Sequence, residues 1–515
     1  MRKPDKGKSI KLLALIAAIG LLTGCTSSIP LKKGGGATLP PPMQNAAAPV
    51  GDIEENHTQT VMLCLPSSQS GQLQMYSERI LLTPSRHPAE ATLEKLFTHQ
   101  ETTQAKPLAG EVQLSLNPGS AVEISNETAT VNLGPSALIL SNEERYFVCR
   151  AIANTLTQWG DIRFVNVLIN GRQQGIDTAA SIPLGSLTRT DNEDIKSLWD
   201  AANYQPAGGG SGFSAFATLY FPVYAGRGIL AETRTINPAG RSLVEMTIAL
   251  LQALSSGAVT LPNVPRLPDL VTLLSREPEI IEQPGSSGRV VHLHFYESAN
   301  DALITSGIPR SVFMASLTFT LTTFLPYTAG VKVSIGNEEV AAVVPAGLYE
   351  RAGEEITFEQ GVMRRAQFSY FLLSSCDLYF AGANGSLTLS KRPIPHYQAY
   401  NPRYLINQLA IGPLNTDSVA GLSPVMPEGL RDSDLLGISR QQDTVLANFS
   451  ANLLSLIREM DESEERLMVY SLVDTITALQ GVNRVSFFID GSQDGTFSDG
   501  IDIAGEFLRN EGIIQ

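Results

Sequence analysis

A chain of 515 residues exceeds what one hydrophobic core can fill, and its length sets a prior of roughly three domains. With 43% hydrophobic and 17% charged residues it is globular in bulk rather than disordered. A formal charge of −14 with no basic stripe excludes a general nucleic-acid binder, which must replace phosphate counterions with concentrated Lys and Arg.

Residues 1–24 read as a targeting segment. Arg2, Lys3, Lys6, Lys8 and Lys11 precede an apolar run, Leu12 to Leu22, that is too short to span a bilayer. The run ends in Leu22-Thr23-Gly24-Cys25, which resembles a bacterial lipobox. That resemblance implies a diacylglycerol on Cys25, which becomes the first residue after cleavage, and a protein anchored by lipid to the extracytoplasmic face of the cell membrane. Cleavage removes five positive charges and one negative, leaving −18. Residues 25–58, rich in Pro, Gly, Ala and Ser, predict a flexible tether with an end-to-end distance on the order of 30 Å. Cys64, Cys149 and Cys376 are too few and scattered for a disulfide framework or zinc site; they read as small buried apolar residues, with room for one disulfide.

From residue 59 the chain predicts one unit three times, over 59–190, 215–366 and 375–511. Each opens with a strand: Val61–Leu65, Ala217–Phe221 and Cys376–Phe380. An Arg beside an apolar residue follows: Arg79, Arg234 and Arg392. A helical stretch and a second strand come next, then a longer helix from Ser141, Ser306 and Asp461, each a good N-cap. Glu144 and Glu464 complete capping boxes, whereas the middle segment has Pro309. Apolar residues recur at helical spacing: Val148, Ile152, Leu156 and Trp159; Phe313, Leu317, Leu321 and Phe324; Met468, Leu472, Ile476 and Leu479. Alternating strands end in two-residue turns at Asn170-Gly171, Gly336-Asn337 and Asp490-Gly491. Each unit closes on Gly-x-apolar-x-Arg, with Arg189, Arg365 and Arg509 last. The expected fold class is α+β, each unit a small mixed sheet with two helices on one face. Residues 191–214, with AGGGSGFS, predict a linker between the first two units, and the last two are expected to pack together in an elongated array.

Those strands, the Asn154-Thr155-Leu156-Thr157-Gln158-Trp159 helix end, the Asn170-Gly171 turn and the Gly-x-apolar-x-Arg close resemble the GerMN, or GerM-like, domain of bacterial sporulation and germination lipoproteins. The middle unit departs at Pro309 and in its reversed turn. The resemblance implies a fold similar to ring-building domains, no catalysis, no cofactor, and a scaffolding or assembly role through protein partners of an envelope complex.

The residues offer little catalytic chemistry. None of the six histidines belongs to a recognisable signature, and Gly208–Gly212 lacks the Lys-Ser/Thr of a phosphate loop. His292-Leu293-His294 is a pair at metal-ligand reach that reads as polar alternation on a half-exposed strand. Asp490, Ser492, Asp494 and Gly495 fall at positions 1, 3, 5 and 6 of a calcium loop, but position 12 is Ile501 rather than Glu. That stretch reads as the shared turn with an acidic insertion, solvated or contacting a partner. The arginines Arg79, Arg234, Arg392, Arg189, Arg365 and Arg509 are expected to pair structurally or dock a partner. A guanidinium could also hold a glycan carboxylate, so a cell-wall (peptidoglycan) binder is the alternative function.

Overall fold

The computed structural model describes residues 46–515 except 54–55, 84–85, 178–181, 191–198, 201–211, 224–227, 262–263, 284–287, 346–352 and 498–500. Cys25, the targeting segment and most of the tether and linker lie outside the described residues. In chain order, Gly51–Ile53 is a short strand (β1), and His57–Pro66 (β2) pairs antiparallel with Leu73–Leu82 (β3). Helix Ala89–Phe97 (α1) follows, then Glu123–Ser125 (β4), Thr128–Leu133 (β5), helix Asn142–Leu156 (α2), Phe164–Ile169 (β6) and Arg172–Gln173 (β7). The sheet order is β4-β5-β6-β7, with β5 and β6 parallel and α2 as their crossover.

The same order of elements follows in the middle unit: hairpin Ala215–Pro222 (β8) and Ile229–Ile236 (β9), helix Leu243–Ser255 (α3), Glu279–Glu282 (β10) and Arg289–Phe295 (β11). Helices Ser298–Thr305 (α4) and Arg310–Phe324 (α5) lead into Thr328–Ile335 (β12), parallel to β11, and Glu338–Glu339 (β13). Ala342–Val343 (β14) and Ile356–Thr357 (β15) form a small separate ladder. The last unit has hairpin Leu373–Ala381 (β16) and Leu387–Pro395 (β17), helices Pro402–Ile411 (α6) and Asn415–Val419 (α7), then Leu435–Gln441 (β18) and Thr444–Phe449 (β19). Helices Asn452–Leu456 (α8) and Glu462–Thr477 (α9) precede Arg484–Ile489 (β20), parallel to β19, and Glu506–Leu508 (β21). The architecture is therefore α+β, with a hairpin, two main helices and a mixed sheet in each unit.

Each crossover helix lies along the open edge of its hairpin, where unpaired backbone groups would otherwise be buried without partners. In the first unit the Gln158 amide bonds both backbone groups of Met62, at 2.8 Å each, and Thr155 Oγ1 accepts the Cys64 N–H. In the middle unit Thr320 Oγ1 accepts the Tyr220 N–H and Ser316 donates to the Tyr220 carbonyl. Ser471 donates to the Tyr379 carbonyl in the last. Hydroxyls buried on an apolar helix thus complete the hairpin's hydrogen bonding. The helix's apolar stripe reaches the sheet, where Ala129, Val131, Val165 and Val167 are fully buried beneath it.

The Gly-x-apolar-x-Arg segment forms the far edge of each sheet. Leu187 pairs with Val165, Met363 with Val331 and Phe507 with Val485. Gly185 and Gly361 both adopt φ +69°, and a Cβ there would meet the Phe216 carbonyl or the Glu339 carboxylate. The positive φ disfavours a side chain at both, and at Gly185 the backbone contact excludes one as well. The two-residue turns form as expected, with Asn170-Gly171 and Asp490-Gly491 at positive φ throughout and Gly336 alone carrying positive φ in the reversed turn.

Three expectations are corrected. The tether is not structureless to residue 58: β1 pairs parallel with β18 of the last unit, Arg403 forks onto Asp52, and Asn448 Nδ2 donates to the Pro49 carbonyl. Ser306 is not the N-cap of the middle crossover helix but the C-cap of α4; Pro309 takes the N-cap position without a side-chain bond. The first two units are not held apart: residues 47–515 cluster as one unit, and the first packs directly on the middle one. The outer face of the first sheet, Thr128, Thr130 and Asn166, meets Thr218, Tyr220 and Thr233 of the middle hairpin. Both faces of β6 are consequently buried.

Candidate functional site

The opening strands carry Leu-Tyr-Phe in the middle and last units, and both aromatic rings hold an arginine. Arg234 lies over Phe221 at 5.6 Å and Arg392 over Phe380 at 5.5 Å, paired across the hairpin with Ala217 and Cys376, two residues before that motif. Their guanidiniums reach the C-terminal carbonyls of the next helix. Arg234 donates to the Ala253 oxygen of α3 and to Gly257 just past it, and Arg392 to the Gln408 oxygen of α6 and to its C-cap Gly412. A cation at that end complements the helix dipole and the unbonded carbonyls.

Arg79 has no such place. The first unit reads Leu63-Cys64-Leu65 where the others have Leu-Tyr-Phe, and the residue at the Arg234 position is Glu78, opposite Val61. Arg79 is one residue out of register, faces the other side of the hairpin and is exposed. Glu78 instead meets Lys95 of α1 at 3.5 Å and His99, just past the end of that helix, at 3.7 Å.

The closing arginines follow the same logic. Arg509 lies over Tyr379 at 5.0 Å, donates to its hydroxyl and bonds the Asp474 carbonyl at 3.0 Å. Arg365 lies over Phe319 at 3.9 Å, donates to the Tyr220 hydroxyl and pairs with Glu123 of the first unit, its Nε at 3.0 Å. That pair is largely buried, with side chains 11% and 21% exposed, and joins two units. Arg189, where Cys64 replaces the tyrosine, is exposed. Four of the six recurrent arginines are therefore built into aromatic contacts, three of them also bonding carbonyls and Arg365 bonding Glu123, and two face solvent.

Beside the closing arginine, Asn154 holds both backbone groups of Thr190, each at 2.9 Å. The last unit has Asp474 there. It accepts the Asn510 N–H through Oδ1 but leaves Oδ2 buried without a partner, and burial lifts its carboxyl to about 6.

The first and last units also meet. Tyr400 donates to Asp161 at 2.9 Å, and His87 Nε2 lies 3.2 Å from the same carboxylate while its Nδ1 accepts the Ala89 N–H. Both imidazole nitrogens are engaged, which leaves none to take a proton from a nucleophile. A cavity of about 300 Å³ lies along this seam, lined by Asn126, Asp161, Asp377, Lys391, Tyr400 and Gln480.

Among the described residues of the acidic stretch, no three carboxylates gather within ligand distance of one another. Asp490 occupies the turn at φ 46°, Gly491 donates to Asn448, and Ser492 Oγ accepts the Asp494 N–H. Phe497 is fully buried against Phe487, pinning an insertion expected to be solvated; Asp499 lies outside the described residues. The three cysteines are free and buried, their thiols pushed up to about 11 at Cys64 and about 12 at Cys149 and Cys376 by burial. His292 and His294, expected to be half-exposed, are only 8% and 7% exposed.

Residues 64–175 and 377–495 match the family model Germane, described as "Sporulation and spore germination", and fall in the first and last units. No curated protein matches the chain. Among solved structures, the tandem GerMN domains of the sporulation protein GerM from Bacillus subtilis align at 16% identity over 58% of this chain and 99% of that one, TM-score 0.23. The first GerMN domain of that protein aligns at 19% over 26% and 97%, TM-score 0.22. A putative lipoprotein from Clostridium perfringens aligns at 21% over 26% and 87%, TM-score 0.19.

Two outcomes follow from the arginine and carboxylate geometry. Arg365→Ala strands Glu123 at the seam and is expected to cost about 3 kcal/mol in denaturant unfolding, against within about 0.5 kcal/mol for Arg189→Ala; equal losses would contradict the assignment. Asp474, its pKa raised on folding, disfavours the native state increasingly as pH rises from about 4 to 6 and fully above that. Asp474→Asn should therefore stabilise by about 1–2 kcal/mol at pH 7 and much less at pH 4.5, read as melting temperature.

Proposed function

We propose, from the Germane matches of residues 64–175 and 377–495, that the chain is a lipid-anchored, extracytoplasmic scaffold serving sporulation or spore germination through protein contacts rather than catalysis. The observation that carries this reading is the match of both the first and the last unit to a family described as "Sporulation and spore germination". The middle unit, with the same order of elements and the same two arginine–aromatic contacts as the last, is a third module of the kind. The Leu-Thr-Gly-Cys run supports lipidation at Cys25. A non-catalytic role fits side chains committed to architecture: Arg234 and Arg392 cap helices, Arg365 and Arg509 clamp tyrosines, and His87 is bonded through both nitrogens.

The modules present their seams to one another through hydrogen-bonded hydroxyls and amides. Polar surfaces of this kind suit assembly from separately folded modules. Expression of the Cys25→Ala chain in a spore-forming host tests the anchor: the unmodified chain should sediment with membranes, and the variant should be released and reproduce the spore defect of a deletion. Membrane association independent of Cys25 would remove the anchor. Co-pelleting of the purified chain with peptidoglycan would replace protein scaffolding by cell-wall binding.

A further inference from the structure

The middle unit differs from its neighbours on the outer face of its sheet. In the first and last units β5 and β19 place Asn132 and Asn448 where each side chain accepts the N–H of the turn glycine, at 2.7 Å from Gly171 and 3.0 Å from Gly491. By strand register the residue at that position in β11 is His294, opposite Ser334 as Asn132 is opposite Leu168. His294 takes no part in the turn. It stands beside His292, ring centroids 3.7 Å apart, on the same face of the strand. Antiparallel pairing with β10 brings Glu279 opposite His292.

We propose that Glu279, His292 and His294 form a binding site for a divalent transition metal of the Zn²⁺ class, set into the outer face of the middle sheet. One ligand atom from each residue lies within 4.8 Å of the other two. A tetrahedral ion with bonds of about 2.0–2.1 Å needs ligand atoms about 3.3 Å apart, so modest side-chain rotation suffices. Glu279 Oε2 is already 3.4 Å from His294 Nε2 and 4.0 Å from His292 Nδ1. Ser334 Oγ lies 2.8 Å from His292 Nε2, so that an Nε2–H donated to it leaves the Nδ1 lone pair facing Glu279. A partner of this kind fixes the tautomer and orientation of a metal-bound imidazole.

The surroundings fit a cation. Arg276 sits among the three residues, Nη2 2.7 Å from His294 Nε2 and 3.7 Å from Glu279, so a positive charge already occupies this position. Its side chain is 62% exposed and free to swing into solvent as an ion enters. The neighbouring Lys332 is neutralised by Glu339 at 2.9 Å. Two imidazoles and one carboxylate favour borderline ions over Ca²⁺ or Mg²⁺, which take all-oxygen sites. Glu279, its side chain 53% exposed, forms the solvent side of the three.

The purified full chain, stripped with chelator, should take up one equivalent of Zn²⁺ by titration calorimetry and give visible Co²⁺ bands of tetrahedral intensity. His292→Ala/His294→Ala should weaken Zn²⁺ at least about 100-fold, Glu279→Gln about 10-fold, and Arg276→Ala should tighten it by removing the competing charge. Glu279 is exposed, so its variant remains folded even if the histidine pair proves structural. No uptake by the unmodified chain, or uptake undiminished in Glu279→Gln, would overturn the site.

Discussion

The open edge of a two-stranded hairpin is the constraint on which each unit depends. A lone hairpin is marginal in water, and burying its edge beneath a helix would strand backbone donors and acceptors. The helix and the turn that ends it resolve this with their side chains: Thr155 and Gln158 in the first unit, Ser316 and Thr320 in the middle, Ser471 in the last. Hydroxyls and an amide on an otherwise apolar helix are therefore fastenings between two sheets of one core. Once the helix is fixed there, it crosses over between two parallel strands, and the closing segment completes the sheet against Val165, Val331 or Val485.

The three units also act as controls for one another. Where the hairpin strand offers Tyr and Phe, arginines lie on both rings and reach the helix ends. Where it offers Cys64 and Leu65, Glu78 replaces the hairpin arginine and Arg189 is released to solvent. Each ring and its arginine change together, as expected if the cation–π contact, worth about 0.5–2 kcal/mol, is what retains the guanidinium. The outer sheet faces diverge more. The first is covered by the middle hairpin, the last is edged by β1, and the middle face holds Glu279, His292 and His294.

Much of this was legible locally. Helical spacing from Val148 to Trp159, Phe313 to Phe324 and Met468 to Ile476 marks residues that are buried, and the Asn-Gly and Asp-Gly turns fall where expected because their backbone demands are local. The six arginines were visible as recurrent, but Arg79 was not distinguishable from its neighbour Glu78, since a one-residue register is set by pairing across the hairpin. β1 was hidden because its contacts are non-local: Asn448 and Pro49 are 399 residues apart. Phe497 inside an acidic insertion was a missed core residue, its apolar side chain the signal available. Glu279 could not be joined to His292 and His294 without the β10 register.

Amide hydrogen exchange on a Thr155→Val/Gln158→Leu chain tests the fastening most directly. The Met62 and Cys64 amides should lose their protection while the interior amides of α2 keep theirs, because the helix itself remains folded on its apolar face. Unchanged protection at Met62 and Cys64 would contradict the account, since the hairpin edge would then be closed by something other than the helix side chains.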